Sequence, residues 1–242
     1  MDYFYLFIIS FFSNLFSAFS GGGAGIIQLP AILLLFEITF PVALATHKIS
    51  TVLLGIGASL KFFEKDRPDK KFIKDGFLIG LPAVIIGAYS ISYIDETIAR
   101  KLLGILIFIV FILSFTKNTD KTRDETNPIV QYILLFVIGF LNGSLSAGTG
   151  LLYTLMLIKI YGMTFKEAIG YTLLVVGLFF NLVGAITLYL ISNIDITILP
   201  ILLLGSFVGG YIGAMVAISR SNKIIKIAYQ LVTLIVAYKL LF

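Results

Sequence analysis

Long apolar runs separated by short polar ones organise the chain, and six of them are unbroken, at roughly 41–63, 73–92, 96–116, 166–190, 196–218 and 222–242. Each suits a helix crossing a hydrocarbon core of about 30 Å, which takes roughly 20 residues. Two further apolar runs, 2–36 and 128–160, are interrupted: Ser20-Gly21-Gly22-Gly23-Ala24-Gly25 breaks the first and Ser146-Ala147-Gly148-Thr149-Gly150 the second. Pro41 and Pro128 fit first-turn helix positions, where a missing N–H costs nothing. The polar stretches 64–72 and 117–127 are linkers, and the second divides the chain into halves 1–116 and 128–242. The pattern predicts an all-α polytopic membrane protein, each half a glycine-broken helical hairpin plus three transmembrane helices.

The halves resemble one another. Gly23, Gly25, Thr39, Phe40 and Ala43 fall on Gly148, Gly150, Thr164, Phe165 and Ala168 without a gap, and Leu81-Pro82 and Gly87 fall on Leu199-Pro200 and Gly205 in the same order. Lysine and arginine concentrate in cytoplasmic loops. Lys61, Lys65, Arg67, Lys70, Lys71 and Lys74 therefore place the first long loop inside, as do Lys117, Lys121 and Arg123 for the linker and Arg220, Lys223 and Lys226 near the end. Lys159 and Lys166 then put both ends of 128–160 on the same side. A hairpin that returns plus three spans makes an odd number of crossings, so the two repeats are expected to be inverted, with both termini outside. The competing scheme, eight crossings with parallel halves, places Lys159 and Lys166 outside.

Composition agrees with the membrane assignment. Hydrophobic residues make up 59% of 242 positions, charged residues 13%, and mean hydropathy is +1.04, against about 45–50% apolar and 25% charged in soluble domains. Tyr3–Phe19 lacks a basic flank and is followed by glycines rather than a small-residue cleavage site, so it is read as a retained element. Cysteine is absent, which excludes disulfides and thiolate chemistry. A net charge of +5 suggests an anionic partner, but most of the charge lies in loops, where it sets orientation, and no nucleic-acid partner or cofactor is expected.

The candidate chemistry lies in the breaks. Irregular backbone at membrane depth survives only against protein or a watery cavity, and a half-helix starting there presents unpaired N–H groups and partial positive charge to an anion. Ser20, Gln28, Ser146, Thr149 and Tyr153 can add uncharged donors. Tight helix packing by small residues is the alternative use of the glycines. His47, the only histidine, and Lys48 lie inside a predicted span. Either they line a pathway, as a titratable group and a counter-charge, or they sit in a polar rim with Lys48 reaching the interface. Asn142 and Asn181 can bind a ligand or join helices; Glu37 and Glu167 complement helix N-termini.

The Gly-rich break leading to Pro30, the stretch Ala43-Leu44-Ala45-Thr46, the Leu-Pro-x4-Gly pattern of both halves and the repeat itself resemble the TauE/SafE sulfite exporter family over essentially the whole chain. The resemblance implies a multi-pass plasma (inner) membrane exporter of a small inorganic or organic anion such as sulfite or a sulfonate, and a homodimer as a plausible assembly. Carried over by position, Gly21, Gly22, Gly23 and Gly25, Gly148, Thr149 and Gly150, with Thr46 and Tyr171 after them, are expected at the substrate site. The second break departs from a triple glycine, reading Gly-Thr-Gly. The sequence reading therefore favours a secondary transporter. A membrane-embedded enzyme is disfavoured by one histidine and no cysteine, and a cation channel by the lack of an acidic ring; a scaffold needs only the small-residue faces.

Overall fold

A computed structural model describes residues 2–65, 67–114 and 127–220, with positions 224, 227, 231 and 234. The linker 117–126 and nearly all of the expected last span lie outside the described residues. Among the described residues these α-helices follow in order: α1 (Asp2–Ser20), α2 (Ala24–Leu35), α3 (Phe40–Phe62), α4 (Lys70–Asp75), α5 (Leu81–Ile91), α6 (Glu96–Ser114), α7 (Pro128–Ser144), α8 (Thr149–Tyr161), α9 (Phe165–Thr172), α10 (Asn181–Ile191) and α11 (Leu199–Ser219). π-helical turns, Gly76–Gly80 and Leu173–Phe180, join α4 to α5 and α9 to α10 into continuous rods. Among the described residues there is no strand, and five helices are long and apolar enough to cross a membrane: Tyr3–Ser20, Phe40–Phe62, Phe72–Ile91, Phe165–Ile191 and Leu199–Ser219. The protein is an all-α, multi-pass membrane protein.

The local signals explain the helix ends. Pro41, Pro128 and Pro200 sit in first turns, whereas Pro82 follows the π turn inside the rod Phe72–Ile91. Thr164 and Glu167 form a reciprocal capping box that starts α9. Asn127 caps α7 by accepting from Ile129 N at 2.9 Å. Large apolar side chains such as Phe4, Leu34, Leu190 and Leu204 remain exposed on the outside of the bundle, as lipid contact requires.

Shape, rather than apolar burial, distinguishes one helix partner from another where the surrounding lipid is equally apolar. Glycines supply it. A Cβ on Gly205, Gly209 or Gly213 of α11 would lie 2.7 Å from Ser10 Cβ, 2.4 Å from Phe11 O and 2.3 Å from Leu15 O, so α1 lies with its backbone against α11. Gly87 and Gly143 do the same between α5 and α7, where an added Cβ would lie 2.1 Å from Phe140 O or Val84 O.

The contacts also fix helix direction. α1, α3 and α11 run the same way: Ser10 and Ser50 both donate to Leu202 O, at 2.9 and 3.1 Å, while Leu15 and Leu54 pack further along on Gly213 and Gly210. α5 and α7 are parallel to each other, Gly80 facing Gly139 and Ala88 facing Gly143. α3 crosses α9–α10 in the opposite sense: Lys48 lies beside Gly184, Thr51 accepts from Asn181 at 2.9 Å, Gly55 meets Gly177 and Phe62 covers Gly170.

Both glycine breaks turn the chain back on itself. Gln28 of α2 donates to Ser10 of α1 at 3.0 Å, and the rings of Tyr3 and Phe36 lie 6.5 Å apart, so the end of α2 returns to the level where α1 starts. In the second half Phe72, near the start of the rod parallel to α7, meets Tyr161 at the end of α8 with ring centroids 5.2 Å apart.

Candidate functional site

The two turnarounds touch. A Cβ on Gly22 would lie 2.8 Å from Leu151 N and 2.9 Å from Gly150 C, and one on Gly25 would lie 3.1 Å from Ala147 Cα. Only backbone without side chains can approach this closely. Gly23 (φ 118°) and Gly148 (φ 75°) are the left-handed residues that precede α2 and α8, conformations glycine adopts without strain. Ser146, with φ 62°, is the one non-glycine residue held there among the described residues, and such strain concentrates at functional positions.

The first intrahelical bonds run from Ile26 N to Gly23 O at 2.9 Å and from Leu152 N to Gly148 O at 3.1 Å. The amides of Ala24 and Gly25, and of Thr149, Gly150 and Leu151, precede them and lack an in-helix acceptor. A cavity of about 40 Å³ lies here, lined by Ser17, Gly22, Gly23, Ala24, Gly25, His47, Thr51, Asn142, Ser146, Thr149, Gly150 and Asn181, with Leu54, Thr172, Leu173, Val176 and Gly177 completing its wall. One water needs about 10–15 Å³ of such space, so the cavity accepts a few atoms. It sits at mid-depth, since Thr51 is central in α3 and Gly177 central in Phe165–Ile191.

Lys48 is fully buried beside this cavity. Its ammonium donates to Asn142 O at 2.6 Å, Asn142 Oδ1 at 3.0 Å and Asn181 Oδ1 at 3.3 Å. Asn142 Nδ2 in turn donates to Thr149 Oγ1 at 3.1 Å, and Asn181 Nδ2 to Thr51 Oγ1 at 2.9 Å. A cation from the first half is thus held by two amides of the second, both of which line the cavity. The interfacial alternative for Lys48 does not describe this geometry. His47 has its ring edge on the cavity and its Nδ1 3.0 Å from Gln28 Oε1.

The remaining sequence candidates divide by position. Ser20 closes the end of α1 by donating to Phe16 O at 2.6 Å and Gly22 O at 3.0 Å. Gly21 O accepts from Thr154 at 2.9 Å, which also bonds Thr172 at 2.8 Å, and these lie just beyond the cavity. Gln28 stands behind His47. Thr46 instead turns away, accepting from Asp195 N at 3.0 Å. Tyr171 accepts from Asp69 N at 2.8 Å in a separate surface cavity of about 840 Å³, shared with Lys61, Glu64, Lys65, Arg67, Phe72, Tyr161 and Lys166. There the Lys61 ammonium bonds Glu64 and holds its carboxyl below the usual carboxylate range. Thr172 lines the small cavity and Tyr171 the large one, so the two approach each other along α9.

Sequence reasoning missed Ser17 and Thr51. The signal was present: Ser10, Ser13, Asn14 and Ser17 make a polar stripe at helical spacing through an otherwise apolar run, and Thr51 lies one turn after His47. Among the described residues no group of three or more His, Asp or Glu side chains is placed to hold a metal.

No curated protein and no solved structure matches the chain. The family model for sulfite exporter TauE/SafE matches residues 6–240, nearly the whole of it. The chain belongs to the sulfite exporter TauE/SafE family.

Proposed function

We propose that this protein is a secondary transporter, exporting a small oxyanion such as sulfite or an organosulfonate across the plasma membrane, with the anion held between the N-termini of α2 and α8. The family is one of membrane transporters for sulfite-type anions, which supports a non-enzymatic reading. The observation that carries the site is the contact between the two breaks: helix N-termini with free amides meet from opposite directions at one buried cavity, with the Lys48 ammonium behind it. Partial positive charge from both helix ends and a full charge from Lys48 favour an anion there and disfavour a cation.

The halves act as inverted repeats in this reading. α1 and α3 run opposite to α7 and α9–α10, and the crossing of α3 with α9–α10 is antiparallel. Thr46 and Tyr171, which the repeat aligns, each accept from the backbone N–H of an aspartate in the other half, Asp195 and Asp69. Transport then follows from rocking one half against the other about the cavity. Repeat 1 spans 1–116 and repeat 2 spans 128–242, and the face carrying Lys61, Lys65, Arg67 and Lys166 is cytoplasmic by its positive charge.

Purified protein in liposomes tests this. Wild type moves labelled sulfite, and Gly148→Val, which forces a β-branched residue to φ 75°, stops the flux with expression intact. Unchanged flux in the variant removes the glycine site.

A further inference from the structure

The polar residues behind the cavity form a chain of hydrogen bonds whose directions are determined from its far end. Leu202 O can only accept. It lies 2.9 Å from Ser10 Oγ and 3.1 Å from Ser50 Oγ, and Ser206 Oγ is within hydrogen-bond reach of both; with each hydroxyl proton directed to Leu202 O or Ser206 Oγ, both serine oxygens face Gln28 as acceptors, and Gln28 Nε2 donates to each at 3.0 Å. Asn14 confirms the orientation: its Nδ2 donates to Ser10 O at 2.7 Å and also lies 3.4 Å from Gln28 Oε1. Gln28 Oε1 therefore faces His47 Nδ1 at 3.0 Å as an acceptor, and Nδ1 carries the proton.

This leaves Nε2 of neutral His47 with its lone pair free. It points to the cavity, 3.2 Å from where a Cβ on Gly25 would stand. Among the described residues it has no hydrogen-bond partner. Lys48, the next residue on the same helix, is its charged neighbour, and both side chains are buried. The elements packed around it bring none: Asn14 and Ser17 come from α1, Gly25 and Gln28 from α2, Ser146, Ala147 and Thr149 from the second break, and Asn181 from α10.

We propose that His47 takes up a proton at Nε2 as the oxyanion enters, so that one proton accompanies each anion. The inference rests on the anion site proposed above. The Nε2 lone pair forms the new N–H bond with a proton passed on by a cavity water, which gives up that O–H bond and regains a proton from the bulk solution, so that no hydroxide remains; the ring passes from neutral to singly positive, and the N–H donates to an anion oxygen. With the cavity empty, the Lys48 ammonium opposes a second positive charge; with an anion present, that charge is compensated. Binding and protonation then favour each other reciprocally. Gln28 is a positioning residue, since it acts by holding the tautomer.

His47 is the only histidine, so the full chain labelled with [15N]histidine in lipid nanodiscs gives one imidazole to read by NMR. At about pH 8, where an ordinary imidazole is neutral, the free protein is expected to show Nδ1 protonated and Nε2 bare, and saturating sodium sulfite to protonate both. Gln28→Met is expected to mix the two tautomers in the free protein. An Nε2–H tautomer in the free wild type, or a ring still neutral when heats of binding show sulfite saturation, overturns the proposal. If sulfite produces no heat at all, the anion site itself fails, while the tautomer of the free protein still tests the relay.

Discussion

Lys48→Met removes the one buried cation beside the cavity among the described residues while leaving a side chain of similar length. The ammonium reaches the cavity through Asn142 and Asn181, 2.6–3.3 Å away. An anion on the far side of those amides stands about 6 Å from Nζ, and at an effective dielectric near 20 their attraction is about 3 kcal/mol, roughly a hundredfold in Kd. In the free protein two effects oppose one another. The variant no longer buries a charge, which stabilises it, but Asn142 Oδ1 is left without a donor, which costs about 1–3 kcal/mol, while Asn142 O keeps Ser146 N at 3.1 Å and Asn181 Oδ1 keeps Asn142 Nδ2 at 3.3 Å. The melting temperature is therefore expected to move less than the affinity. Calorimetric titration of sulfite into nanodisc-held protein reads the effect directly. Gly184→Ala is the softer companion, since its Cβ would lie 3.1–3.2 Å from Lys48 Cδ, Cε and Nζ and displace the ammonium by a few tenths of an ångström. A folded Lys48→Met protein whose sulfite Kd stays within about threefold of wild type, half a power of ten or less than 1 kcal/mol, refutes the counter-charge role.

Gly25→Ala places a methyl 3.1–3.2 Å from Ala147 and His47 Nε2 on a backbone that is already helical; overpacking of about 1–3 kcal/mol, where it falls on the bound state, corresponds to a loss of roughly five- to 150-fold in sulfite affinity, measured by titration, in a protein that still folds. Gly87→Ala is the contrast, because its Cβ would lie 2.1 Å from Phe140 O, at a contact whose two residues do not line the cavity: yield and melting temperature fall, and what protein survives binds sulfite as wild type does. Cysteines introduced at Asn127 and Met163, flanking the second hairpin, are expected to react with an impermeant reagent from the same side of the membrane. Labelling from opposite sides contradicts the returning hairpin.

The long elements were readable because spanning a bilayer imposes length and apolarity on contiguous residues. Expected spans at 41–63 and 166–190 appear as Phe40–Phe62 and Phe165–Ile191, and the broken runs divide at Ser20 and Ser144. The glycines were less separable. Gly22 and Gly150 serve the contact between breaks, whereas Gly87, Gly143 and Gly209 admit a neighbouring backbone; a glycine carries no side chain whose chemistry distinguishes the uses. The place of Lys48 was open for a related reason. Its depth follows from where Thr39 starts α3, but its burial follows from Asn142 and Asn181, distant in sequence and brought in by the crossing of α3 with α10. Thr46 and Tyr171 share a repeat position, and the antiparallel crossing sends each toward a different face of the bundle.

The central claim is that an anion sits between the two breaks. A structure of the protein soaked with selenite, with anomalous scattering used to locate selenium, tests it most directly. A peak is expected within hydrogen-bonding reach of the amides of Ala24–Gly25 and Thr149–Leu151, on the cavity side of Asn142. Selenium found only among Lys61, Lys65, Arg67 and Lys166 in the surface cavity, with the space between the breaks empty, contradicts it.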